Sequence, residues 1–89
     1  MIIRWTPTGS DDLETIYDLI AEDKARQTIQ RIVSEINTLT QFPFSGRKGV
    51  RAGTRELIFP PYVVVYHLTD EVVEIVHVIH GARRWPPHP

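Results

Sequence analysis

Apolar residues recur along this chain of 89 residues with two periods, and the change of period divides it. Ile2 to Trp5 is a short apolar run stopped by Pro7, which predicts a strand. Leu13, Ile16, Tyr17 and Ile20 then fall at i, i+3, i+4 and i+7, one stripe of a helix ending near Glu22. Thr8-Gly9-Ser10 offers turn and cap chemistry for it, and Asp11, Asp12 and Glu14 would fill its first turn, where acids suit the dipole. Asp23 can cap a second helix, striped by Ala25, Ile29, Ile32, Val33, Ile36 and Leu39 and stopped ahead of Pro43. Phe44 to Thr54 reads as loop, with Gly46, Gly49 and Gly53 among basic residues. The period then drops to two. Glu56 to Phe59 predicts a strand broken by Pro60-Pro61, and Tyr62 to Leu68 and Val72 to His80 predict a hairpin turning at Thr69-Asp70-Glu71. The order is βααβββ: an α+β fold with a helical hairpin on a mostly antiparallel sheet, in one domain over residues 1–89.

The hairpin has two faces of unequal character. With Asp70-Glu71 at its centre, paired positions sum to 141. Tyr62, Val64, Tyr66, Leu68, Val73, Ile75, His77 and Ile79 then share one face. Val63, Val65, His67, Glu74, Val76, Val78 and His80 share the other, with His67 opposite Glu74. Both faces are largely apolar, and one helical hairpin covers only one. The aromatic set suits the helices. The second face is either closed by loop 43–54 or the tail, or kept as a groove for a partner, because a wide apolar patch is seldom left bare.

Composition narrows the class. Apolar residues make up 42% and charged residues 24%, as in a folded domain, and Cys is absent, which suits a reducing compartment. No apolar run approaches the ~18 residues of a membrane span, and the amino end lacks signal-peptide character, so the expected location is cytoplasmic and away from membranes. The net charge of −1 argues against broad affinity for nucleic acid. Its distribution is uneven. Residues 1–23 set Arg4 against six acids, whereas residues 46–55 hold Arg47, Lys48, Arg51 and Arg55 and no acid. A solvated surface and a binding surface both fit that pattern.

Candidate chemistry is sparse. The histidines His67, His77, His80 and His88 have no Cys and no helical HxxxH spacing beside them, so no metal site is expected. No Gly-rich loop precedes a helix, so no nucleotide cofactor is expected either. Ser10, Ser34 and Ser45 have no partner placed to activate a nucleophile. What stands out is His80-Gly81-Ala82-Arg83-Arg84-Trp85-Pro86, directly after the last strand. Arg and Trp are the residues most favoured at binding hot spots, which makes Arg83, Arg84 and Trp85 candidate target-binding residues.

Gly53-Thr54-Arg55-Glu56-Leu57, Tyr62-Val63-Val64-Val65-Tyr66 and His80-Gly81-Ala82-Arg83-Arg84-Trp85-Pro86, in that order and spacing, resemble the ParE branch of the RelE/ParE toxins. Pro43 followed by Gly46-Arg47 fits as well, and the likeness runs from Ile2 to Pro86. The chain departs from such toxins in not being net basic. The resemblance implies the toxin of a type II toxin–antitoxin pair, held inactive by a cognate antitoxin whose carboxyl-terminal segment wraps it. That agrees with a free sheet face, whose Val63, Val65, Val76 and Val78 become candidate antitoxin contacts. It also implies one of two activities. ParE-like members poison DNA gyrase by binding, with no catalytic residues of their own. RelE-like members cleave ribosome-bound mRNA and typically carry an Arg after the Tyr that opens the third strand; here that place is Val63. A ribonuclease built on this chain would draw on His67, His80, Arg83 and Arg84 for acid–base and phosphate chemistry. A degenerate, non-toxic binding module is the third reading.

Overall fold

Pro7, expected only to stop a strand, also starts a helix. In the computed structural model, which describes residues 1–81, strand β1 (Ile2–Trp5) leads directly into α1 (Pro7–Leu19). Thr6 is the cap: its hydroxyl accepts the Gly9 N–H at 3.0 Å and donates to the Ile75 carbonyl at 2.7 Å. Proline suits the first helical position because the N–H it lacks would have no partner there. Asp11, Asp12 and Glu14 therefore lie beyond the first turn, contrary to expectation. Helix α2 (Glu22–Asn37) follows almost at once. Asp23 sits inside its first turn with Glu22, where both acids face the positive end of the dipole, and Ala21 at the cap makes no side-chain bond. A single 3-10 turn at Thr38–Thr40 ends the hairpin.

The remaining strands are β2 (Arg47–Lys48), β3 (Thr54–Phe59), β4 (Tyr62–Leu68) and β5 (Val72–His80). They form one sheet in the order β1-β5-β4-β3-β2. Only β1 and β5 are parallel, joined through the helical pair and the hairpins that follow it. The architecture is α+β, as the periodicity predicts. Strand β2 is an addition, a two-residue edge inside the expected loop.

One face of the sheet lies under the helices. Ile16, Ile32, Ile36 and Leu39 pack there against Phe59, Tyr62, Val64, Tyr66, Val73, Ile75 and Val78. Tyr66 is fully buried, and its hydroxyl donates to the Pro43 carbonyl at 2.8 Å and accepts the Gly46 N–H at 3.0 Å. A buried phenol needs such partners, and these two fasten the segment after α2 to the sheet. Gly46 is required for that approach: a Cβ would lie 2.6 Å from the Tyr66 hydroxyl and 2.8 Å from the Glu56 carbonyl.

The hairpin register corrects the expected faces. Leu68, His67 and Tyr66 pair with Val73, Glu74 and Ile75 as the sequence suggested. Val65 then pairs with His77, so Val76 is the extra residue of a β-bulge. Everything beyond it changes sides. Val78 joins Val64 in the core at 2% exposure, so its placement on the open face was wrong. His80 pairs with Tyr62 on the helical side, while Ile79 moves across to Val63.

Candidate functional site

The sheet face away from the helices carries Thr54, Glu56 and Ile58 of β3, Val63, Val65 and His67 of β4, and Glu74, His77 and Ile79 of β5, with Val76 unpaired at the bulge between Ile75 and His77. It is less bare than expected. Val65 is completely buried between Glu56 and His77 in the register, whereas Val63 and Val76 are half-buried and Ile58 is 44% exposed. The apolar contact surface on offer is therefore Val63, Val76 and Ile58, around a closed centre.

Two polar clusters flank that centre. Glu56 is the buried charged residue among the described residues, at 3% exposure. Its Oε1 accepts from Arg47 Nε at 3.0 Å and Nη2 at 2.8 Å, and its Oε2 accepts the Val50 N–H at 3.4 Å. A carboxylate buried alone would be costly; this one is neutralised and holds the basic loop in place. At the far end Arg4 pairs with Glu74, and His67 Nδ1 lies 3.6 Å from the other Glu74 oxygen. The hydrogen bond from Arg4 holds the Glu74 carboxyl below its ordinary value of 4.5, against the opposing effect of desolvation.

The two histidines proposed for a ribonuclease are not brought together. His67 pairs with Glu74 at one end of β4 and His80 with Tyr62 at the other. Five residues of strand separate them by roughly 17 Å. They also face opposite sides: the His80 ring stacks edge-on against Tyr62, 5.7 Å between centroids, on the helical side. Arg83, Arg84 and Trp85 lie outside the described residues. Among the described residues no group of three His, Cys, Asp or Glu could hold a metal ion, and no helix is long and apolar enough to cross a membrane.

Several positioning residues escaped the sequence reading. Asp12 of α1 accepts the Val78 N–H at 3.1 Å and lies 2.8 Å from His77 Nδ1, closing the edge of β5 left open where β1 ends. Nothing local marks it, because the contact spans 66 residues. Glu56 was more legible, an acid inside an apolar strand next to a basic loop. Tyr17 was read as core and is 45% exposed; with Trp5, Leu13 and Ile29 it lines an apolar groove of about 390 Å³.

A two-helix hairpin on a five-stranded mixed sheet is the architecture the chain shares with solved toxin–antitoxin proteins. The chain matches, over residues 3–85, the family model described as the ParE toxin of the type II toxin–antitoxin system parDE. It belongs to that family. It is 35% identical over 89 residues to the putative toxin Y4kP of Sinorhizobium fredii, covering 94% of this chain and 92% of that one. Toxin RelE2 of Caulobacter vibrioides is 30% identical, covering 91% of this chain and 96% of its own. Among solved structures, the chromosomal ParDE system of P. aeruginosa superposes with a TM-score of 0.79 at 26% identity, covering 90% of this chain and 95% of that one. The RelBE2 toxin–antitoxin complex of Mycobacterium tuberculosis shares the fold, with a TM-score of 0.71 at 22% identity over 89% of this chain and 95% of that one.

Proposed function

We propose that this toxin acts by binding DNA gyrase in the cytoplasm, without catalysis of its own, and is neutralised by a cognate antitoxin. The observation that carries the reading is the separation of His67 from His80 across the sheet. General acid–base cleavage of RNA needs both proton-transfer groups within hydrogen-bond reach of one phosphate, directly or through one water. Val63, where ribonuclease relatives are expected to carry an Arg, offers nothing to a phosphoryl charge. The antitoxin would cover Val63 and Val76, with Val65 supporting them from beneath. Arg83, Arg84 and Trp85 would contact the target.

One observation favours the ribonuclease reading instead. His67, Glu74 and Arg4 form a row on the free face in which a carboxylate orients a histidine. His67→Ala separates the two, since a binder keeps its toxicity and a nuclease loses it. Induction of the chain alone should stop growth with DNA-damage signalling and filamentation, translation falling only later. Prompt cleavage of mRNA at the ribosome, abolished by His67→Ala, would reverse the choice.

A further inference from the structure

We infer that Asp12 is a positioning residue: from helix α1 it selects the register of β5, and with it the side chains that the free face presents. The direction of the main-chain groups carries this. Successive residues of a strand turn their N–H and C=O groups to opposite sides. The Ile2 N–H donates to the Glu71 carbonyl at 2.9 Å and the Thr6 N–H to the Ile75 carbonyl at 3.1 Å, so residues 71, 73 and 75 face β1. In an unbroken strand residues 77 and 79 would continue on that side, and Val78 would turn toward β4. The Val78 N–H instead donates to Asp12 Oδ2 at 3.1 Å. It does so because Val76 is an inserted residue, which resets the alternation. The same oxygen lies 2.8 Å from His77 Nδ1, so both residues after the insertion are held to α1. The bond to Val78 belongs to the bulged register alone.

The competing arrangement is the regular hairpin, one residue out of phase. It pairs Val65 with Val76, Val64 with His77, Val63 with Val78 and Tyr62 with Ile79, which sends every side chain after Val76 to the other face. In the bulged form Val78 is in the core at 2% exposure, and Ile79 stands beside Val63. Apart from His77 the exchanged side chains are apolar, so burial separates the two registers weakly. Regular pairing would set the His77 ring beside Val64, which is fully buried, where an imidazole needs partners. His77 and Asp12 thus both favour the bulge, and Asp12 does so by a bond to the main chain at the slip itself. Thr6 discriminates less. Its shorter bond goes to the Ile75 carbonyl at 2.7 Å, ahead of the insertion, and the Val76 carbonyl is 3.4 Å away.

A carboxylate on a helix therefore decides whether Ile79 or Val78 stands beside Val63. Under the reading given above, that is the surface the antitoxin covers. The register itself is measured on the toxin alone and does not depend on that reading.

The test is NMR spectroscopy of the full chain, reading nuclear Overhauser contacts between β4 and β5. The unaltered chain and Asp12→Asn, whose amide oxygen still accepts, should show Val64 against Val78 and Val63 against Ile79. His77→Val removes the contribution of the ring and should keep that pattern while Asp12 is present. Adding Asp12→Ala to His77→Val should lower the ratio of bulged to regular register about tenfold or more, the effect of losing a bond to a charged acceptor. A second set of contacts, Val63 to Val78 and Val64 to residue 77, should then appear. Asp12→Asn in place of Asp12→Ala should restore the single set. A purely stabilising Asp12 would lower the urea midpoint and leave one register throughout, so a single bulged set in the His77→Val, Asp12→Ala chain overturns the inference. Should that chain fail to fold, His77→Val alone decides. The bulged register with a protected Val78 amide supports the inference, and regular pairing with Asp12 intact overturns it.

Discussion

Glu56 shows how one side chain organises a surface. Its carboxylate is buried, yet its partner Arg47 keeps a side chain 65% exposed. Glu56→Ala therefore leaves a cation that water can resolvate rather than one stranded in the interior. The expected loss is about 1–2 kcal/mol, below the 3–5 of a wholly buried pair, read as a shift of the urea midpoint. Hydrogen exchange at the Val50 amide should accelerate in the same variant, because that amide loses its acceptor. Glu74 carries a pH signature. Its folded carboxyl titrates lower than the ordinary 4.5 because Arg4 donates to it, so its stabilisation is complete above that value and is lost as the pH falls through the folded pKa. Arg4→Ala should flatten this part of the acid-unfolding curve, by removing the small stabilisation present at pH 7 and changing little at pH values below the folded pKa. Val65 requires a revised expectation. A Glu there would damage folding itself, since the site is fully buried before any partner arrives; Val63→Glu and Val76→Glu, at half-buried positions, are the variants that test antitoxin binding.

At the level of elements, the tie between α1 and β5 is the feature most open to measurement. Gly9 lies so close to the strand that a Cβ would sit 2.5 Å from the Ile75 carbonyl oxygen. Backbone cannot yield as a flexible side chain does, so Gly9→Ala should cost about 1–3 kcal/mol despite the better helix propensity of Ala. Thermal unfolding measures it, and an unchanged midpoint would mean that the helix can slide away. The elements themselves were largely legible in the sequence. Tyr62–Leu68 and Val72–His80 are strands at the bounds their β-branched composition suggested. The bulge was not legible. Both faces of the hairpin are apolar, so Val76-His77-Val78 reads equally well in either phase, and the alternation that normally fixes register is degenerate. Strand β2 was missed for a related reason: Arg47-Lys48 has no apolar pattern, and pairs only because β3 and Glu56 are beside it. Pro7 was misjudged because one residue serves as both strand stop and helix start.

For the whole molecule, the three segments Gly53–Leu57, Tyr62–Tyr66 and His80–Pro86, in that order and with the order of elements beside them, were enough to suggest a toxin, whereas the target depends on which groups the sheet assembles. The two histidines looked like a plausible pair in one dimension and are separated by the sheet in three. A toxin of this kind should arrest growth when induced alone and be rescued by the adjacent antitoxin. Val76→Glu should weaken that rescue, because an unpaired carboxylate is expensive to bury in an apolar interface. Arg83→Ala with Arg84→Ala should reduce toxicity without loss of folded protein, by about thirtyfold in target affinity for each of the two that acts as a hot-spot residue.

The central claim is that the chain poisons gyrase by binding. Purified gyrase with supercoiled plasmid, and ribosomes programmed with mRNA, each receive the same toxin preparation with and without antitoxin. The account predicts blocked supercoiling and trapped, cleaved plasmid, reversed by antitoxin and unaffected by His67→Ala, with the mRNA intact. Normal supercoiling together with cleavage of the ribosome-bound mRNA, lost in His67→Ala, would contradict it.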